Sequence, residues 1–145
     1  MSENGYNWEL DYGVGDCRLM ETDGRWKEVT AIDEKTGNRA WRHISIVDVP
    51  MESLIRQYEL LVIELSEKEV KLYKTKEAYL IAEADIVNNT DFKELYGKNN
   101  EKVRTNHVKN ELSDMVSEMK ALEFGINWIR QYIPLLKEVM RVKGR

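Results

Sequence analysis

The sequence predicts an α+β fold that is mainly α: a long antiparallel two-helix coiled-coil hairpin preceded by a small antiparallel β-meander. Three observations carry this. From Met51 onward, apolar side chains recur at alternating three- and four-residue steps over two long stretches, the period that keeps one stripe facing a partner helix. Upstream, glycine-containing turn signals separate short runs rich in β-branched and aromatic residues. Charge changes at the same point: residues 1–50 hold six Lys or Arg against ten Asp or Glu, whereas residues 51–145 hold sixteen of each. The boundary therefore falls at Pro50, with the meander in 1–50 and the hairpin in 51–145.

The meander comes first. "ETDG" at Glu21–Gly24 and "EKTGN" at Glu34–Asn38 place Asp-Gly and Gly-Asn pairs where tight turns need positive backbone angles. They delimit strands at about 16–21, 25–33 and 39–48. In the middle strand, Trp26, Glu28, Thr30 and Ile32 alternate with Lys27, Val29 and Ala31. Three strands alone are marginally stable, so the apolar face needs a further layer.

Pro50 suits the start of a helix, where a missing N–H costs nothing, and Glu52 complements the positive end of the helix dipole. The first stripe runs Met51, Leu54, Tyr58, Leu61, Leu65, Lys68, Leu72, Thr75, Tyr79, Ala82 and Ile86; all but Lys68 and Thr75 are apolar. Those two either fix register or, in the case of Lys68, extend to water along the aliphatic stem. The second stripe, Val108, Leu112, Met115, Met119, Leu122, Ile126, Ile129, Ile133, Leu136 and Met140, is apolar throughout. It continues past Pro134, which predicts a kink there rather than an end. Ile55, Val62, Ile63, Tyr73, Ile81 and Val87 lie off the first stripe, and one partner helix does not cover them all.

Between the stripes, residues 88–100 read as a corner. Asn88 and Asn89 end the first helix, Thr90 or Asp91 caps a short turn, and Phe92 and Leu95 plug the open end. Gly97 ends the turn, and Asn99 or Asn100 caps the second helix. Each residue type there has a structural task, and a lone His107 without cysteine or carboxylate partners reads as packing or surface.

Composition narrows the function. A net charge of −4 with both signs abundant argues against bulk recruitment of nucleic acid or anionic lipid. The longest strong apolar run is Leu60–Ile63, far short of a membrane span, and the acidic start lacks a secretory leader's character, so a cytoplasmic setting is expected. Cys17 is the only cysteine and His43 and His107 the only histidines; no metal site and no cofactor is expected. No Gly-x-Ser-x-Gly elbow or phosphate-binding glycine loop occurs, and Glu59, Glu64 and Glu83 read as helix-face charges, so an enzyme is not expected.

The run "YKTKEAYLIAEADIVNNTDFKELYGKNNEKVRTNHV" followed by "LEFGINWIRQYIPLLKEVM" resembles small helical-hairpin proteins of bacterial viruses and integrated mobile elements. In that group a Thr-Asp-Phe-Lys corner meets a Gly-Lys-Asn-Asn-Glu-Lys helix start. The resemblance spans Tyr73–Met140, implies a helical hairpin in a viral or mobile-element gene, and brings no catalytic residues. Residues 1–50 lie outside it.

Two functions compete. The first is a non-enzymatic protein-interaction and oligomerisation module that binds a host defence or replication protein, or a second copy of itself as a dimer. Its interface candidates are Ile55, Val62, Ile63, Tyr73, Trp26 and Trp41. The second is a nucleic-acid-binding accessory factor in recombination or replication, through Lys98, Lys102, Arg104 and Lys109 at the corner, with Arg141, Lys143 and Arg145 at the other end. The sheet's Trp8, Trp26 and Trp41, interleaved with Arg18, Arg25, Arg39 and Arg42, could serve either a packed core or base stacking, and the acidic segment favours the core.

Overall fold

A computed structural model describes residues 7–20, 24–89 and 101–145. It is α+β and mainly helical, with a three-stranded antiparallel sheet before long helices. Two compact units emerge: one is built on the sheet, bounded at Val62 and resuming at Tyr132, and the other spans Ile63–Gln131.

In the first unit, strands β1 (Cys17–Met20), β2 (Arg25–Ile32) and β3 (Arg39–His43) pair in sequence order. Leu19 stands opposite Trp26 and Val29 opposite Trp41. Directly opposed residues share a face, so Cys17, Leu19 and Trp26 point one way and Val29 and Trp41 the other. Both faces are covered, since Cys17, Leu19, Trp26 and Val29 are all buried. The expected alternation along β2 stops at Thr30. Val29 pairs with Trp41 but Ala31 with Ala40, which leaves Thr30 as a bulge whose hydroxyl donates to the Ala40 carbonyl at 3.2 Å. The β2–β3 turn is closed by Asp33, whose Oδ1 accepts from the Lys35 and Thr36 N–H groups, and by Gly37 at φ 75°.

The third strand is shorter than the periodicity predicts. It ends at His43, because Ile46–Asp48 forms a 3-10 turn in which the Asp48 and Val49 N–H groups donate back to Ser45 and Ile46. That turn leads into helix α1 (Met51–Asn89), and the Pro50 carbonyl accepts the first helical bond from Leu54 at 3.1 Å. Pro50 thus sits one position before the helix, where its missing donor also costs nothing.

Two more helices follow, α2 (Glu101–Glu111) and α3 (Ser113–Lys143). The break at Leu112 is slight: its N–H donates to Val108 and its carbonyl accepts from Val116, each at 3.0 Å. Helix α3 runs through Pro134 to Lys143, as the continuing stripe requires. All eleven positions of the first stripe and all ten of the second are buried or half-buried. The caps and plug expected at Thr90, Asp91, Phe92, Leu95, Gly97, Asn99 and Asn100 lie outside the described residues.

The sheet's unit takes its core from both layers. Leu54 and Leu136 are 0% exposed, and Leu61 and Val49 are buried as well. Polar groups are closed as well along the β1 edge. The outward N–H groups of β1 meet side chains from α1: Cys17 N–H donates to Ser53 Oγ at 3.2 Å and Leu19 N–H to Gln57 Oε1 at 3.0 Å. Ser53 and Gln57 are one helical turn apart, matching alternate residues of a strand, and both are buried. An edge that would otherwise recruit another strand is sealed by a helix.

Candidate functional site

Three groups of residues could carry function: the aromatic face of the sheet, the basic residues of α2, and the outer face of α1.

The aromatic face is a closed structural cluster. The 3-10 turn Trp8–Asp11 brings Trp8 and Tyr12 against Trp41, with ring centroids 6.2 and 5.8 Å from it. Arg18 lies over Trp8 at 3.8 Å and Arg56 over Tyr12 at 4.0 Å. Arg39 donates to the Tyr12 carbonyl at 2.9 Å and also to the Gly37 carbonyl, and Arg42 pairs with Glu28 at 2.6 Å. These guanidinium groups hold the turn and the strands together instead of forming an open row for phosphates. Trp41 is half-buried within this cluster. On the opposite face Trp26 is 4% exposed and its indole N–H donates to Tyr132 Oη at 2.7 Å, so this ring belongs to the chain's own core and presents no surface to a partner.

Reactive groups in this unit are muted by their surroundings. Burial raises the Cys17 thiol above its ordinary value, and the nearby Glu28 adds to the rise, so the thiolate needed for nucleophilic or metal chemistry is disfavoured. Burial likewise raises the Tyr132 phenol, against a smaller opposing effect of the Trp26 hydrogen bond. Among the described residues no group of three His, Cys, Asp or Glu side chains is placed to hold a metal ion. No described helix is long and apolar enough to cross a membrane.

Of the basic candidates, Lys98 lies outside the described residues; Lys102 and Lys109 are exposed and Arg104 is half-buried. At the end of α3, Arg141 pairs with Glu138 and Lys143 Nζ donates to the Val47 carbonyl at 2.9 Å, which leaves this cluster partly neutralised and tied to the fold.

The outer face of α1 is different. Ile55 and Val62, in the sheet's unit, are 45% and 41% exposed. In the helical unit, Ile63, Val70, Tyr73 and Leu80 are 55%, 51%, 67% and 61% exposed. They fall on a second regular series, Ile63, Ser66, Val70, Tyr73, Glu77, Leu80, Ala84 and Val87, again in three- and four-residue steps but on the back of the helix. Ile63 and Tyr73 were legible as off-stripe residues. Val70 and Leu80 were not, although their spacing is the same signal read a second time around the helix.

Beside Tyr73, a shallow groove of about 420 Å³ is lined by Leu72, Ile126 and Asn127. Ion pairs Glu69–Arg130 at 3.1 Å and Lys76–Glu123 at 3.7 Å border it. Lys71 reaches Glu118 at 3.5 Å, and the Lys68 stem lies along Gly125 with its ammonium 3.6 Å from Glu64. Lys68 therefore reaches solvent along its chain, and Thr75 satisfies its hydroxyl on the Lys71 carbonyl at 2.8 Å. No family model matches this chain, and neither the curated proteins nor the solved structures gave a match.

Proposed function

We propose that the chain is a non-enzymatic protein-interaction and oligomerisation module whose working surface is the outer face of α1. The carrying observation is the exposure of Ile63, Val70, Tyr73 and Leu80 in one regular series, because a helix apolar on two opposite sides leaves one side to bury elsewhere. In this reading the inner side is taken up by an antiparallel coiled-coil hairpin of α1 with α3, in a register that would set Leu72 near Leu122 and Tyr79 near Met115. The Lys68–Gly125 contact supports that register, and the ion pairs of Glu69, Lys76 and Lys71 bracket it from both directions. The resemblance of Tyr73–Met140 to hairpin proteins of bacterial viruses and mobile elements gives the biological setting: a protein that modulates a host defence or replication component.

Affinity capture from bacterial lysate tests the reading, with wild type and a Tyr73→Glu/Leu80→Glu variant as bait. Both side chains are exposed, so the variant is expected to keep its helix content. The reading expects a partner, or the chain itself, retained by wild type and lost with the variant. It is overturned if the chain is monomeric and nothing it captures depends on these two positions.

A further inference from the structure

We infer that the occupant of the α1 outer face is a second copy of this chain, docked antiparallel about a twofold axis that crosses α1 between Lys71 and Leu72. This rests on the proposed interaction role and assigns its partner. The reason lies in how the series reads backwards. In an antiparallel pairing, each residue meets the one equally far on the other side of the axis. Val70 then meets Tyr73 of the second copy, Ile63 meets Leu80, and Ser66 meets Glu77. From Ile63 to Leu80 apolar layers fall on apolar layers and the two polar positions fall on each other; Ala84 and Val87 would meet Glu59 and Arg56 and lie beyond the seam.

The flanking charges obey the same symmetry. On the rims the partners are offset by two residues from that pairing: along one rim Glu67 lies beside Lys74 of the second copy, and along the other Glu69 lies beside Lys76; the axis repeats both pairs. Glu69 and Lys76 already pair within the chain, with Arg130 and Glu123, so across the axis they extend a network instead of starting one. A parallel pairing gives a worse result. It stacks Glu77 on Glu77, two like charges within an apolar seam. Sequence complementarity therefore selects a second copy over an arbitrary helix, and antiparallel over parallel.

The seam from Ile63 to Leu80 is about 26 Å long at 1.5 Å per residue. That length places the contact at the small end of specific interfaces, and the expected dissociation constant is micromolar, about 1–100 µM. Val70→Glu, which puts a charge into both central layers, is expected to weaken the dimer roughly tenfold or more.

The test uses the full chain. Sedimentation equilibrium between about 5 and 300 µM is expected to show monomer and dimer, with Val70→Glu shifted to monomer at unchanged helix content. Orientation is read with two single variants, Ile63→Cys and Leu80→Cys, under mild oxidation; the native Cys17 is buried and does not report. A mixture of the two is expected to yield the mixed disulfide, while neither alone yields its own, because like positions lie about 25 Å apart along the axis. A Leu80→Cys homodisulfide in high yield overturns the antiparallel register. A monomer at 300 µM overturns the second copy altogether. If that monomer still captures another protein through Tyr73 and Leu80, the interaction role stands without self-association; if it captures nothing, both fall.

Discussion

The sheet's unit and the helical unit solve the same problem to different degrees. In the first, Leu54, Leu136 and Val49 are fully enclosed, and the edge strand's donors at Cys17 and Leu19 end on Ser53 and Gln57. In the second, Val108, Leu122, Ile126 and Ile129 are enclosed on α2 and α3, yet α1 leaves Ile63, Val70, Tyr73 and Leu80 outside. These enclosed residues are architecture, although the sheet's unit also exposes Leu10, Val14, Val47 and Leu135. Where a regular apolar series stays in water, the chain carries surplus surface whose burial needs something further.

The sharpest way to break that contrast is to shorten one leucine in each unit. Leu54→Ala removes a side chain that is 0% exposed and is expected to cost about 2–5 kcal/mol, the range for enclosed leucines where the surroundings collapse only partly. Leu80→Ala removes one that is 61% exposed and is expected to change the stability of the monomer by under about 0.5 kcal/mol. Chemical denaturation below the micromolar range measures both on the monomer. Equal losses would mean that Leu80 is architectural and that the two sides of α1 do not differ in kind.

The sheet edge offers a second, smaller contrast, between polar closure and apolar filling. Gln57→Leu keeps most of the side-chain volume but leaves the Leu19 N–H without its acceptor in a buried setting, at an expected cost of about 1–3 kcal/mol. Amide exchange locates the effect: the Leu19 amide is expected to lose protection, while amides in the middle of α1 keep theirs. Should Gln57→Leu prove neutral, the edge is held by packing and Gln57 is a passenger.

Much of this was legible because period is a property of sequence alone. Both stripes could be read off position by position, and every one of their residues is buried or half-buried. What escaped needed three dimensions. Thr30 breaks the alternation of β2 through a bulge that no spacing announces, and β3 stops at His43 because the following residues close a 3-10 turn ahead of Pro50. Ser53 and Gln57 belong to neither stripe, and only the strand edge set against them reveals their role. Trp26 and Trp41 looked available because aromatic residues serve cores and interfaces alike; burial decides between these roles, and Trp26 is a core ring. The outer series on α1 was legible in principle, but polar Ser66 and Glu77 interrupt it, and Val70 and Leu80 are not among the off-stripe residues that the first periodicity picks out.

Gly125 gives the finest test of how closely α3 is fitted to its neighbour in the helical unit. A glycine inside a helix is disfavoured relative to alanine by about 0.8–1.0 kcal/mol, so its presence in α3 asks for a local reason. The nearest atoms to an added Cβ would be Lys68 Cδ and Cε, both at 3.4 Å, which is ordinary van der Waals contact with a flexible stem. Gly125→Ala is therefore expected to stabilise the monomer by about 0.5–1 kcal/mol, since the alanine gains helix propensity and Lys68 yields by rotation. A larger side chain reverses the sign: Gly125→Leu drives into the Lys68 stem and destabilises by about 1–3 kcal/mol through overpacking. Thermal unfolding of the two variants reads the difference directly. If alanine destabilises as much as leucine, Lys68 is fixed in place beside Gly125, and its position in the stripe sets register instead of merely tolerating it.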